Sequence, residues 1–160
     1  MSAPGIQHMT IRVMLLVIFS LGLVGTGAEL LLLQHTKTLW ELIPLALIGL
    51  TLLILSWHVT SQRPASVRAL QGTMVVFLIA GFAGLLLHYQ SNAEFKLESN
   101  SSLEGWALFW AALSGKAPPA LAPGSMIQLG LLGLAYAYHH PALVITDLLK
   151  SKNKGEENEA

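Results

Sequence analysis

The chain alternates long apolar runs with short polar connections. The first run extends from Val13 to Leu33 and is broken only by Glu29. The second, Leu39 to Trp57, carries one charge, Glu41, near its start. The third, Ala69 to Tyr89, carries none. The fourth, from about Ala120 to Tyr138, is also uncharged and encloses Gln128. About 20 helical residues cross a hydrocarbon core of roughly 30 Å, so each run is long enough to span. The interiors are apolar all round, and the ten-residue alternation of a membrane β-barrel is missing. The pattern predicts an all-α, integral-membrane fold, a four-helix transmembrane bundle. Its spans cover about 13–33, 39–57, 69–89 and 120–140 within a membrane domain over 13–149. An N-terminal segment, 1–12, precedes it, and a polar tail, 150–160, follows.

Composition narrows the function classes. Of 160 residues 53% are hydrophobic and 11% charged, the net charge is zero and the mean hydropathy is +0.58. An average soluble domain carries roughly a quarter charged residues. A chain this short does not hide so much apolar surface in a soluble core. Disordered chains have the opposite composition, and no basic excess is present to neutralise nucleic-acid phosphates. Cysteine is absent, which excludes disulfides, thiolate metal sites and iron–sulfur clusters.

Local signals support the spans. Thr38 to Glu41 has capping-box spacing. Trp40 and Trp57 bracket the second span, and Tyr89 and Tyr138 close the third and fourth, as interfacial aromatics do. Arg12, the apolar run and Gly25-Thr26-Gly27-Ala28 have the general shape of a signal peptide. The apolar run resumes over Leu30 to Leu33, so the segment reads as a retained helix. Four spans place Arg12, Arg63, Arg68, Lys150, Lys152 and Lys154 on one side, and Lys37, Lys96 and Lys116 on the other. The positive-inside rule then puts both termini in the cytoplasm. In outline the chain resembles small four-span proteins of the bacterial inner membrane, and no motif assigns a family.

The long third connection, 90–119, carries a pattern of its own. Ser101 to Glu104 offers a second capping box. Trp106, Phe109, Trp110 and Leu113 then recur at i, i+3, i+4 and i+7, on one helical face. The reading is a short amphipathic helix anchored in the headgroup layer, with a docking surface as the alternative. Small residues cluster in the first, third and fourth spans, at Gly22, Gly25, Gly27, Gly81, Gly84, Gly130 and Gly133. They predict close helix contacts there and leave the second span the more lipid-exposed.

Glu29 is the one charge well inside a run. It shares a face with Thr26, Gly25 and Gly22, which predicts that it points at a partner helix, with Gln128 as its hydrogen-bond partner. Five histidines fall at span ends. His58 with His139 or His140, and His35 with His88, have the pairing a bis-histidine haem needs. Span ends also suit unliganded rings, so no cofactor is predicted and haem b remains an alternative. Zinc held by His58, His139 and His140 lacks a carboxylate or thiol in step. No nucleophile elbow, phosphate loop or zinc-protease pair is present.

These readings converge on a small multi-pass membrane protein without an evident catalytic site. The expected role is an accessory or structural subunit, or a homo-oligomer. Its partners would be the lipid bilayer and another membrane protein or a second copy, and not nucleic acid. The alternatives are a proton- or ion-linked carrier using Glu29, and a b-type haem electron carrier.

Overall fold

A computed structural model describes residues 4–34, 36–115 and 122–144. Among these the secondary structure is entirely helical. Helix α1 spans Pro4–Leu32, α2 Leu39–Ser61, α3 Pro64–Ser99, α4 Gly105–Leu113 and α5 Gly124–Ala137. Three of them, α1, α2 and α3, are long and apolar enough to cross a membrane. The chain is therefore an integral membrane protein by length and composition. The expected fourth span is shorter than its sequence pattern suggested. α5 has 14 residues, a rise of about 21 Å. Proline occupies its N-cap, at Pro123, and the expected start near Ala120 lies outside the described residues.

The helix ends follow local chemistry. Thr38 adopts extended φ/ψ, and its hydroxyl accepts from the Glu41 amide at 3.4 Å. The Glu41 carboxylate reaches back, as a capping box requires, but accepts from the amide of Lys37 at 2.8 Å, one residue before the cap. Gln62 ends α2 in the left-handed region, with φ 47°. Arg63 is extended, as the residue before a proline should be, and Pro64 opens α3. The second expected box does not form. Glu104 is the N-cap of α4, and Asn100 instead closes a turn by accepting from the Ser102 amide and hydroxyl. The third span also extends further than expected. α3 continues to Ser99, so the first ten residues of the supposed loop are helical.

The helices pack in a closed order, α1 against α2, α2 against α3, α3 against α5 and α5 against α1. The shared core includes Phe19 and Leu23 of α1, Ile48 and Leu55 of α2, Leu70, Met74 and Phe77 of α3, and Met126 and Leu129 of α5. Small residues set the closest approaches, as expected. A Cβ on Gly81 would lie 2.6 Å from Ile127 Cγ1, and one on Gly130 3.0 Å from the Met74 carbonyl oxygen. On α1, Gly22 faces Leu129 of α5, whereas Gly25 faces open space. The lipid-exposure expectation holds for α2 against α3 and α5 but not against α1. α1 buries a smaller share of its apolar window, 17%, than α2 does, 22%. Glycine allows close approach only where its own face is covered.

Contacts fix the relative heights of the helices. At one end His58 of α2 meets Ser66 of α3, and at the other Gly84 of α3 meets Pro123, just before α5. Those two levels are about 27 Å apart along α3, close to a hydrocarbon thickness. Beyond Gly84, α3 rises about 22 Å further, and α4 leans on this extension. Gly115 lies against the buried Asn92, and the Tyr89 and Phe109 rings are 5.7 Å apart.

Candidate functional site

A polar cluster joins α1, α2, α3 and α5 at the Arg12 end. Its centre is His58, in the last turn of α2 and only 2% exposed. His58 Nδ1 lies 2.9 Å from the hydroxyl of Ser66, and Nε2 lies 2.9 Å from the hydroxyl of Tyr136 in α5. Ser66 is fully buried and Tyr136 is 5% exposed. The Ser66 hydroxyl donates to the Arg63 carbonyl at 2.7 Å. The helix hairpin explains the first pair, because the Gln62-Arg63-Pro64 turn brings positions eight residues apart face to face. The second pair comes from the antiparallel packing of α5.

The direction of each bond follows from donor counting. Ser66 has one proton, and it goes to the Arg63 carbonyl, the nearer acceptor. Ser66 Oγ must then accept from His58 Nδ1–H. That leaves Nε2 as the acceptor for the Tyr136 O–H. In the opposite tautomer the Tyr136 proton would have no acceptor among these groups. The neutral Nδ1–H ring of His58 is therefore the form that satisfies every member.

Arg12 of α1 closes the cluster. Its guanidinium donates to the carbonyls of Tyr136 and Tyr138 at 3.0 Å each and of His139 at 2.8 Å. These are carbonyls at the end of α5 that have no helical partner, and a cation also suits the negative end of the helix dipole. His139 sits in the left-handed region, with φ 45°, which turns the backbone under the guanidinium. His140 follows, half-buried, its ring 5.0 Å from that of His58 and 5.6 Å from that of Tyr136. Its Nδ1 accepts from the Ala142 amide at 3.3 Å. Burial pushes the His140 imidazole, beyond the end of α5, down to about 4, and the neighbouring His58 ring and Arg12 act in the same direction.

The expected histidine pairs resolve differently. His58 and His140 do come together, and His139 points away, exposed against Tyr138. Both ring nitrogens of His58 are engaged by hydroxyls, those of Ser66 and Tyr136. His35 lies outside the described residues, and His88 is half-buried at the other end of the molecule. Among the described residues no group of three or more His, Asp or Glu side chains is placed to hold a metal.

Glu29 is exposed, and so is Gln128. No hydrogen bond joins them among the described residues. Thr26 is half-buried on the neighbouring face. The covered side of α1 centres on Phe19, Leu23 and Leu30, and Glu29 is one residue, about 100°, round from Leu30. Gly22 faces Leu129, and seven residues further along α1 brings Glu29 level with the start of α5. Its carboxylate therefore lies on the outer surface of the chain at the end of the apolar zone. The expectation that it faces a helix of the same chain is corrected accordingly.

On α4, Trp106 and Trp110 are 74% and 60% exposed, Phe109 is less so and Leu113 is half-buried. Trp106 stacks on Phe109 with ring centres 5.0 Å apart. The opposite side of α4 is fixed to α3 through the buried Ala112. Trp106 and Trp110 are thus presented outward, while Phe109 meets Tyr89 of α3.

Sequence reasoning missed Ser66, Tyr136 and the capping role of Arg12. Tyr136 and His140 at i, i+4 were a usable signal, as was a histidine eight residues before a serine across a proline turn. Comparison with protein-family models, characterised proteins and solved structures finds no match.

Proposed function

We propose that the protein is a non-enzymatic membrane subunit that works by association, with a partner membrane protein or with copies of itself. The supporting observation is that, among the described residues, no buried side-chain nitrogen or oxygen lacks a hydrogen-bond partner. The polar groups at the Arg12 end bond to one another and to helix-end carbonyls, and so hold the helices together. What the chain presents to its surroundings is the apolar side of α1 with Glu29 at one end, and the Trp106 and Trp110 face of α4. A carrier using Glu29 would need its pathway between chains, because that carboxylate is on the outside.

In this reading α5, with the residues flanking it, completes a fourth crossing, and both termini lie in the cytoplasm of a bacterium. The described charges support that orientation. Of the five described cations, Arg12, Arg63 and Arg68 stand at the end assigned to the cytoplasm and Lys37 and Lys96 at the other. The α4 tryptophans then meet the headgroups of the outer leaflet.

The test is purification from native membranes in a mild detergent, followed by mass measurement of the particle. A stable complex is expected, larger than one chain, and weakened by Glu29→Leu or by Trp106→Ala with Trp110→Ala. Recovery as a lone monomer across several mild detergents would end the proposal. Single cysteines at Ser61 and Ser102, in a chain that has none, report sidedness with an impermeant maleimide.

A further inference from the structure

The polar cluster at the Arg12 end accepts only one protonation state, and it links three helices through one ring. His58 faces Ser66 from α3, Tyr136 from α5, and His140 from the segment after α5. Arg12 from α1 stands behind Tyr136, its guanidinium on the Tyr136 carbonyl. Arg63 contributes its carbonyl and is itself exposed, as is Arg68.

We propose that this cluster is a proton-released latch: one proton taken up by His58 from the adjoining water detaches the end of α5 from α2 and α3. The proton adds to Nε2, the only ring nitrogen without one. Nε2–H then becomes a donor toward the Tyr136 oxygen, and the Tyr136 O–H loses its acceptor. Among the described residues no neighbour takes that hydroxyl proton. Arg12 is a donor only. His140 accepts at Nδ1 from the Ala142 amide, so its other nitrogen carries hydrogen. The Ser66 hydroxyl is held by Arg63. A buried phenol without an acceptor must turn to water, which requires the cluster to open.

Charge acts in the same sense. Among the described residues every carboxylate stands at the opposite end of the molecule, so none of them offers a protonated His58 a counter-ion beside Arg12. The released element is the end of α5 together with residues 138–144, whose carbonyls Arg12 caps. The latch stands apart from the association proposed above, because no residue of it belongs to the α1 outer surface or to α4.

The test uses the full chain in nanodiscs, with spin labels on cysteines placed at Val59 and Val144, both exposed. At about pH 7.5 a single narrow distance is expected. At about pH 5 the distance is expected to broaden and lengthen by about 5 Å, on the scale of one helical turn. His58→Gln is expected to remain closed at both values, because an amide donates to Ser66 and accepts from Tyr136 without taking up a proton. An unchanged distance in the parent chain overturns the proposal, and so does opening of His58→Gln at the parent's midpoint. Should that variant fail to fold, imidazole nitrogen resonances of the parent chain decide. His58 must show the Nδ1–H tautomer at neutral pH and titrate in step with the distance. The other tautomer, or titration out of step, overturns the latch.

Discussion

Replacing Arg12 with Gln tests how the end of α5 is held. The guanidinium makes three hydrogen bonds to carbonyls, at 2.8–3.0 Å. A bond to a charged group contributes about 1.5–3 kcal/mol, and adding three would overstate the loss. The bonds to Tyr138 and His139 are exposed, and water replaces most of what they give. The bond to the Tyr136 carbonyl is part-buried and counts nearly in full. A cation at a helix C-terminus adds about 0.3–1 kcal/mol. The expected loss for Arg12→Gln is therefore about 2–4 kcal/mol. Arg12→Lys keeps the charge but loses the fork, and should recover about half of it. Reversible unfolding in mixed micelles measures the difference, and hydrogen exchange over residues 136–144 locates it. A loss below about 0.5 kcal/mol, the range of surface substitutions, refutes the capping role. Equal losses for Gln and Lys would refute the fork geometry.

Other substitutions probe the packing. Gly81→Ala drives a Cβ against Ile127, including its backbone nitrogen at 3.0 Å, and should cost about 1–3 kcal/mol in the same assay. Gly25→Ala meets nothing within 4 Å and should be neutral or stabilising by up to about 1 kcal/mol; an equal loss at both sites would contradict the assigned faces of α1 and α3. Gln62→Gly relieves a left-handed backbone and should stabilise by up to about 1 kcal/mol, seen as a higher unfolding midpoint. His140 has a folded-state pKa below its ordinary 6.5, so its contribution is complete above that value and is lost as pH falls towards about 4. Unfolding titrations should show stability declining across that window, and a flat profile would contradict the burial of the ring.

Apolar periodicity alone determined much of this protein. The all-helical class, α1, α2 and α3 as long apolar helices, the Thr38 cap and the small-residue contacts of α3 and α5 were legible in the sequence. These are local or one-dimensional properties: hydrophobic run length, capping spacing and glycine placement. The stripe from Trp106 to Leu113 was legible for the same reason, although not the length of α3 beneath it, since a helix supported by its own neighbour needs no apolar run. The tertiary structure decided the rest. Glu29 looked inward because its own face is rich in small residues, but facing is set by which side the other helices cover. Similar depth paired His58 with His139 or His140, but depth alone does not say which of the two rings His58 meets. Arg12 looked like a topological charge, and only the end of α5, more than a hundred residues away in sequence, makes it a cap.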